Sequence, residues 1–235
     1  MSSNKPRWGL MELVLVYLGI LGAGILFGLY GDALLDYTVK VINIPDNELS
    51  YFVLSFIIQF LVTVALVILL ARGRLHELGI RKASPSSYTR YGVTGGISLL
   101  IIITVAGYVI QQFAPDLGPQ VYEQMLRSVK EGSGFITVFM IGAIFAPLSE
   151  ELYYRGMMYP VFKGYLGPWG GAIVAGTIFG LSHWDLWRTI PLSIGGAILC
   201  YIYEKSGSIF VSALAHGIWN AVMSLIIYFS MVQSG

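Results

Sequence analysis

Glu150 and Glu151 are adjacent carboxylates, and Arg155 follows Glu151 by four residues. Glu ahead of its cation at that spacing favours an ion pair along one helix face. The spacing therefore divides the two acids. Glu151 is held ionised by Arg155, and Glu150 is left as a base that burial can tune. Two more pairs at the same spacing follow, Phe179 with His183 and His216 with Asn220. Together a free carboxylate, two imidazoles, a carboxamide and an arginine-held carboxylate supply a base for water and donors for an oxyanion. That set suits water attack on a carbonyl. Each pair alone also has a structural reading: Glu151–Arg155 as a packing ion pair, His183 as an interface residue at a helix end, His216–Asn220 as interhelical hydrogen bonding.

The surroundings make the cluster unusual. Phe135–Phe145 and Met157–Phe162 contain no charged residue. An ionisable group at a helix centre costs about 2.5–3.5 kcal/mol on insertion scales, so such groups turn to the protein interior and mark functional sites. Pro147 precedes the acids and removes a backbone donor where the site begins. The whole chain follows the same bias: 56% of its 235 residues are hydrophobic and 11% charged, against about 25% charged in ordinary globular domains. A net charge of +1 gives no bulk attraction to nucleic acid. The single cysteine, Cys200, excludes an internal disulfide framework and a multi-cysteine metal site.

These features imply an all-α polytopic membrane protein. A bilayer core takes about 20 mainly apolar residues per helix. The segments Trp8–Tyr30, Leu49–Ala71, Tyr91–Phe113, Phe135–Phe162, Trp169–His183, Thr189–Tyr203 and Ser208–Met231 meet or approach that need. The expectation is about seven spans, in a range of about six to eight, with the site buried in the helical core. The first apolar segment is too long for a signal h-region and is read as a retained helix. Trp169–His183 and Thr189–Tyr203 are short and Gly-rich, as helices shielded by neighbours would be. Small residues four apart, at Gly24/Gly28, Gly92/Gly96, Ala172/Gly176/Gly180 and Ala213/Gly217/Ala221, suit close helix packing. Val121–Lys130 reads as an interfacial helix. Lys5 and Arg7, and the Arg72–Arg90 connection, are basic, whereas Asp32, Asp36, Asp46 and Glu48 crowd the first connection. The positive-inside rule then places the N-terminus and the basic loop in the cytoplasm. Residues 1–235 read as one membrane domain, with the motif core within about 135–231.

The three motifs, Glu150-Glu151-x-x-x-Arg155, Phe179-x-x-x-His183 and His216-x-x-x-Asn220, resemble in order those of the CPBP family of intramembrane proteases. That family includes the type II CAAX prenyl endopeptidases and the bacterial Abi proteins. The resemblance implies an endopeptidase at the cell membrane that acts on a membrane-associated or lipidated peptide near the cytoplasmic side. It implies Glu150 as the base for water, His183 as its helper, Glu151 and Arg155 as a supporting pair, and His216 and Asn220 as oxyanion donors. No cofactor is expected; the alternative is zinc held by Glu150, His183 and His216. His-Glu-x-x-His is absent, and Asn220 suits an oxyanion better than zinc. The competing readings are a non-catalytic scaffold or immunity protein, and a transporter with a buried Glu/His relay. A transporter would usually carry repeats in both halves, but the polar groups here lie in the C-terminal half.

Overall fold

The computed structural model describes residues 6–114, 117–129 and 132–232. Lys5 and Lys130, which entered the charge and helix readings above, lie outside them. Among the described residues the chain forms helices and no strand. They are α1 (Leu10–Ile42), α2 (Glu48–Leu70), α3 (Pro85–Phe113), α4 (Val121–Ser128), α5 (Gly132–Leu181), α6 (Leu186–Ser206) and α7 (Ile209–Val232). Six of them, all but α4, are long and apolar enough to cross a membrane. Apolar side chains such as Leu29, Ile101 and Val105 stand well exposed on α1 and α3. A water-soluble surface rarely tolerates such a patch; hydrocarbon does. The chain is a multi-pass membrane protein.

The fourth and fifth expected spans are one helical element with a sharp turn. Gly167 adopts φ 72°, ψ 177° and is followed by Pro168. A Cβ placed on Gly171 would sit 2.6 Å from the backbone nitrogen of Lys163. Eight residues of continuous helix would separate those positions by about 12 Å. The chain therefore doubles back at Gly167, giving a first limb (132–166) and a second limb (168–181), and the six span-length helices fall at the lower end of the expected range of six to eight.

Two expectations need correction. The first helix does not stop at Tyr30; it runs to Ile42, so Asp32 and Asp36 are helical rather than part of a loop. Nothing breaks the helix before Asn43, which takes φ 59° and ends it two residues ahead of Pro45. Likewise the basic connection is shorter than Arg72–Arg90, because Ser84 caps a helix that starts at Pro85.

The remaining contacts set depth. Arg81 donates to the Gly207 carbonyl (2.6 Å), Trp8 to Met157 O (2.8 Å), and Lys163 pairs with Glu204 (2.6 Å). The start of α1, the 72–84 connection, the Gly167 turn and the α6–α7 connection thus gather at one end, which carries most of the basic residues. α4 is docked rather than loose at the interface: Tyr122 bonds Ser224 of α7 at 2.8 Å, and Leu126 is fully buried.

Candidate active site

Prolines shape the first limb. Pro147 and Pro160 lack the N–H that an α-helix needs, and each ring crowds the carbonyl four residues earlier. Ahead of each, the helix widens into π turns, at Ile141–Phe145 and Leu152–Met158. Such turns often accompany functional sites. The first exposes the Gly142 carbonyl, which accepts a hydrogen bond from Asn220 Nδ2 at 2.9 Å. The second carries Arg155.

Glu151 and Arg155 form the expected pair. Arg155 Nη1 donates to Glu151 Oε1 at 2.9 Å, and both side chains are fully buried. Arg155 Nη2 also donates to the Gly196 carbonyl of α6 at 3.0 Å. That carbonyl is within reach because α6 and the second limb meet backbone to backbone. A Cβ on Gly196 would lie 2.8 Å from Gly176 Cα. This is the Ala172/Gly176/Gly180 stripe at work. The guanidinium also lies over the Phe179 ring, 4.6 Å from its centroid.

His216 reaches the same carboxylate: its Nδ1 is 3.0 Å from Glu151 Oε1. Its Nε2 faces Glu150 Oε2 at 3.8 Å, longer than a hydrogen bond. The ring is stacked on Trp219 and edged by Phe179. His216 is buried, while the Glu150 side chain keeps 32% of its exposure. With Ile209 at the basic end, His216 lies about 10 Å inward at about 1.5 Å per residue.

Glu150 and His183 line one cavity of about 590 Å³. Its other walls come from α1 (Tyr17, Ile20), α2 (Phe56, Gln59, Phe60) and the turn residue Trp184. His183 Nδ1 is 2.9 Å from the Phe179 carbonyl. Read with that nitrogen as the donor, this leaves Nε2 as the available nitrogen. Beyond the turn, the Asp185 carboxyl is held below the ordinary Asp range. Burial pulls the other way, and the hydrogen bonds and charge of Arg188 outweigh it.

All six candidate residues thus come from α5, its closing turn and α7. Glu151, Arg155 and His216 are joined in one chain, Glu150 faces His216, Glu150 and His183 share the cavity, and Asn220 bonds the first limb. Neither His216 nor Asn220 is among the residues of the cavity wall. Among the described residues no three His, Cys, Asp or Glu side chains converge as a metal-holding group. The sequence reading missed the Gly196 carbonyl, for which the only signal was the Gly195-Gly196 pair in an apolar run. It also missed the cavity wall from α1 and α2, for which the lone amide Gln59 in an apolar helix was the available sign.

Comparison with known proteins points to the same segment. Residues 132–222 match the family described as type II CAAX prenyl endopeptidase Rce1-like. A protein of Bacillus subtilis (strain 168) named "Putative membrane peptidase YdiL" is 20% identical over 151 residues, covering 60% of this chain and 62% of that protein. The chain thus spans less than two thirds of the length of that curated relative. No solved structure matches it. The matched family segment begins at the start of α5, ends at Val222 of α7, and encloses all three motifs. Over those residues this multi-pass membrane protein is similar to the Rce1-like endopeptidases, which agrees with the resemblance of its three motifs.

Proposed function

We propose that the chain is an intramembrane endopeptidase that hydrolyses a peptide bond with water activated by Glu150. The observation that carries this reading is the division of the two acids. Arg155 and His216 occupy Glu151, while Glu150 turns to the cavity that His183 also lines. Water held between Glu150 and His183 attacks the scissile carbonyl carbon and gives its proton to Glu150. The resulting oxyanion accepts hydrogen bonds from His216 Nε2 and Asn220 Nδ2, and Glu150 passes the proton to the leaving amine as the C–N bond breaks.

His216 can serve as a donor because of Glu151. Glu151 Oε1 already accepts from Arg155, and read as the acceptor of His216 as well it takes the Nδ1–H. The oxyanion role requires a proton on Nε2 as well, the nitrogen turned toward Glu150. The reaction so written uses no metal.

The substrate is a membrane-associated or lipidated peptide. The apolar walls of the cavity support this, as do the words "prenyl endopeptidase" and "membrane peptidase" in the names of the matched family and relative. By the positive-inside rule the basic end, and the N-terminus with it, is cytoplasmic, and cleavage occurs near that face of the cell membrane. The test uses the purified protein and an internally quenched peptide carrying an acyl chain. Glu150→Gln and His183→Ala are each expected to lower the rate about 10²–10⁴-fold. Cleavage by both variants at the parental rate refutes the mechanism. Full cellular function in Glu150→Gln would instead identify a scaffold.

A further inference from the structure

We infer that Arg188 is a positioning residue for His183, acting through the turn that joins α5 to α6; this rests on the hydrolytic reading above. His183 precedes Trp184, which sits at φ 55°. A bulky side chain rarely adopts that left-handed conformation, and it persists only where the surroundings hold it in place. On the α5 side the restraints are local. Ser182 Oγ donates to Phe179 O at 2.7 Å, and the amides of His183 and Trp184 donate to Gly180 O (3.3 Å) and Leu181 O (3.1 Å).

On the α6 side the restraint is Arg188. Asp185 Oδ1 caps α6 by accepting from the Arg188 amide at 3.0 Å. Asp185 Oδ2 accepts from Arg188 Nη1 at 2.6 Å. The other arm of the guanidinium, Nη2, donates to the Gly118 carbonyl at 2.7 Å, 70 residues away in sequence. Arg188 thus ties the residue after Trp184 to the segment that precedes α4, outside the turn. The Asp185–Arg188 pair is partly buried, with side-chain exposures of 18% and 25%, so solvent screens it less than a surface pair. Neither residue lines the cavity that Glu150 and His183 share. Without the clamp Trp184 relaxes toward an ordinary φ and carries His183 away from Glu150, while α5 and α7 keep the rest of the site.

The experiment measures kcat, KM and Tm on the full chain in detergent with the acylated quenched peptide. Arg188→Ala is expected to lower kcat about 10–100-fold, as a displacement on the order of 1 Å does, with KM and Tm close to the parent. Arg188→Lys keeps the charge but lacks the two-armed fork, and should recover part of the loss. Arg127 lines a separate cavity with Arg188 and pairs with Glu123 along its own helix; Arg127→Ala should leave kcat unchanged. The double variant His183→Ala/Arg188→Ala should be no slower than His183→Ala alone. Should Arg188→Ala fail to fold, Asp185→Asn keeps the cap oxygen, loses the charge, and should lower kcat severalfold. An unchanged kcat in Arg188→Ala, or a double variant slowed by the full product of the single effects, overturns the inference. His183→Ala cleaving at the parental rate is a different failure: it removes the hydrolytic reading itself, and the inference with it.

Discussion

His216 Nδ1 and Glu151 Oε1 are 3.0 Å apart, and that same oxygen takes the hydrogen bond of Arg155. α7 and the first limb of α5 are thereby joined by an imidazole on a fully buried, arginine-held carboxylate. The imidazole has one nitrogen fixed on Glu151 and the other turned toward Glu150.

The first prediction concerns that joint. Removing one member of a buried ion pair leaves an uncompensated charge and costs about 3–5 kcal/mol. Arg155→Ala and Glu151→Ala should each lower the thermal midpoint strongly and yield poorly folded protein. Glu150→Gln alters a partly exposed group that makes no hydrogen bond among the described contacts, and should leave the midpoint within a few degrees. Thermal unfolding of the three variants in detergent tests this, and equal midpoints would show that the pair does not hold the site together.

Asn220 offers a second. Its amide donates to Gly142 O in the resting state and is proposed to stabilise the oxyanion in the transition state. Loss of one oxyanion donor lowers kcat about 10²–10³-fold. Asn220→Ala should show that loss with little change in KM. A change confined to KM would instead make Asn220 a packing or binding residue.

Chelation gives a third. Activity should survive prolonged dialysis against a strong chelator, and added zinc should not raise it. Loss on chelation with recovery on zinc addition would overturn the metal-free mechanism and direct attention to Glu150, His183 and His216 as ligands.

The contact of the second limb with α6 gives a fourth. A Cβ on Gly176 would lie 2.6 Å from the Ala197 nitrogen and 2.7 Å from the Ser193 carbonyl. Both are backbone atoms and cannot turn aside. Overpacking of this kind costs about 1–3 kcal/mol. Gly176→Val should lower stability by that order and also activity, because α6 carries the Gly196 carbonyl that steadies Arg155. Stability lost with activity per folded molecule retained would separate the packing from the site.

Much of this arrangement was legible in the chain itself. Charge is costly in hydrocarbon, so Glu150, Glu151 and Arg155 had to face inward, and the four-residue spacing fixed which carboxylate the arginine would take. The small-residue stripes marked the faces of α5 and α7 that pack closest. What stayed hidden depended on distant pairings. Nothing in the spacing of His216 and Asn220 assigned one nitrogen of the histidine to Glu151, because that bond joins residues 65 positions apart. Acidic residues after Tyr30 suggest a loop, but Asp32 and Asp36 lie on a helix that continues to Ile42 and is capped by Asn43. The π turns ahead of Pro147 and Pro160 were only half visible: proline implied a loosened helix, but not a widened one.

The fold at Gly167 bears on how the chain sits in a bilayer. The second limb has 14 helical residues after the turn, 168–181, which extend about 21 Å against a hydrocarbon core of about 30 Å. Such a segment is too short to be stopped and anchored in lipid by itself. It is held instead by its neighbours: its start lies against the end of the first limb, and α6 covers its glycine face. His183, just past the end of this limb, thus reaches the cavity that Glu150 lines through the hairpin alone, whereas His216 is supplied separately by α7.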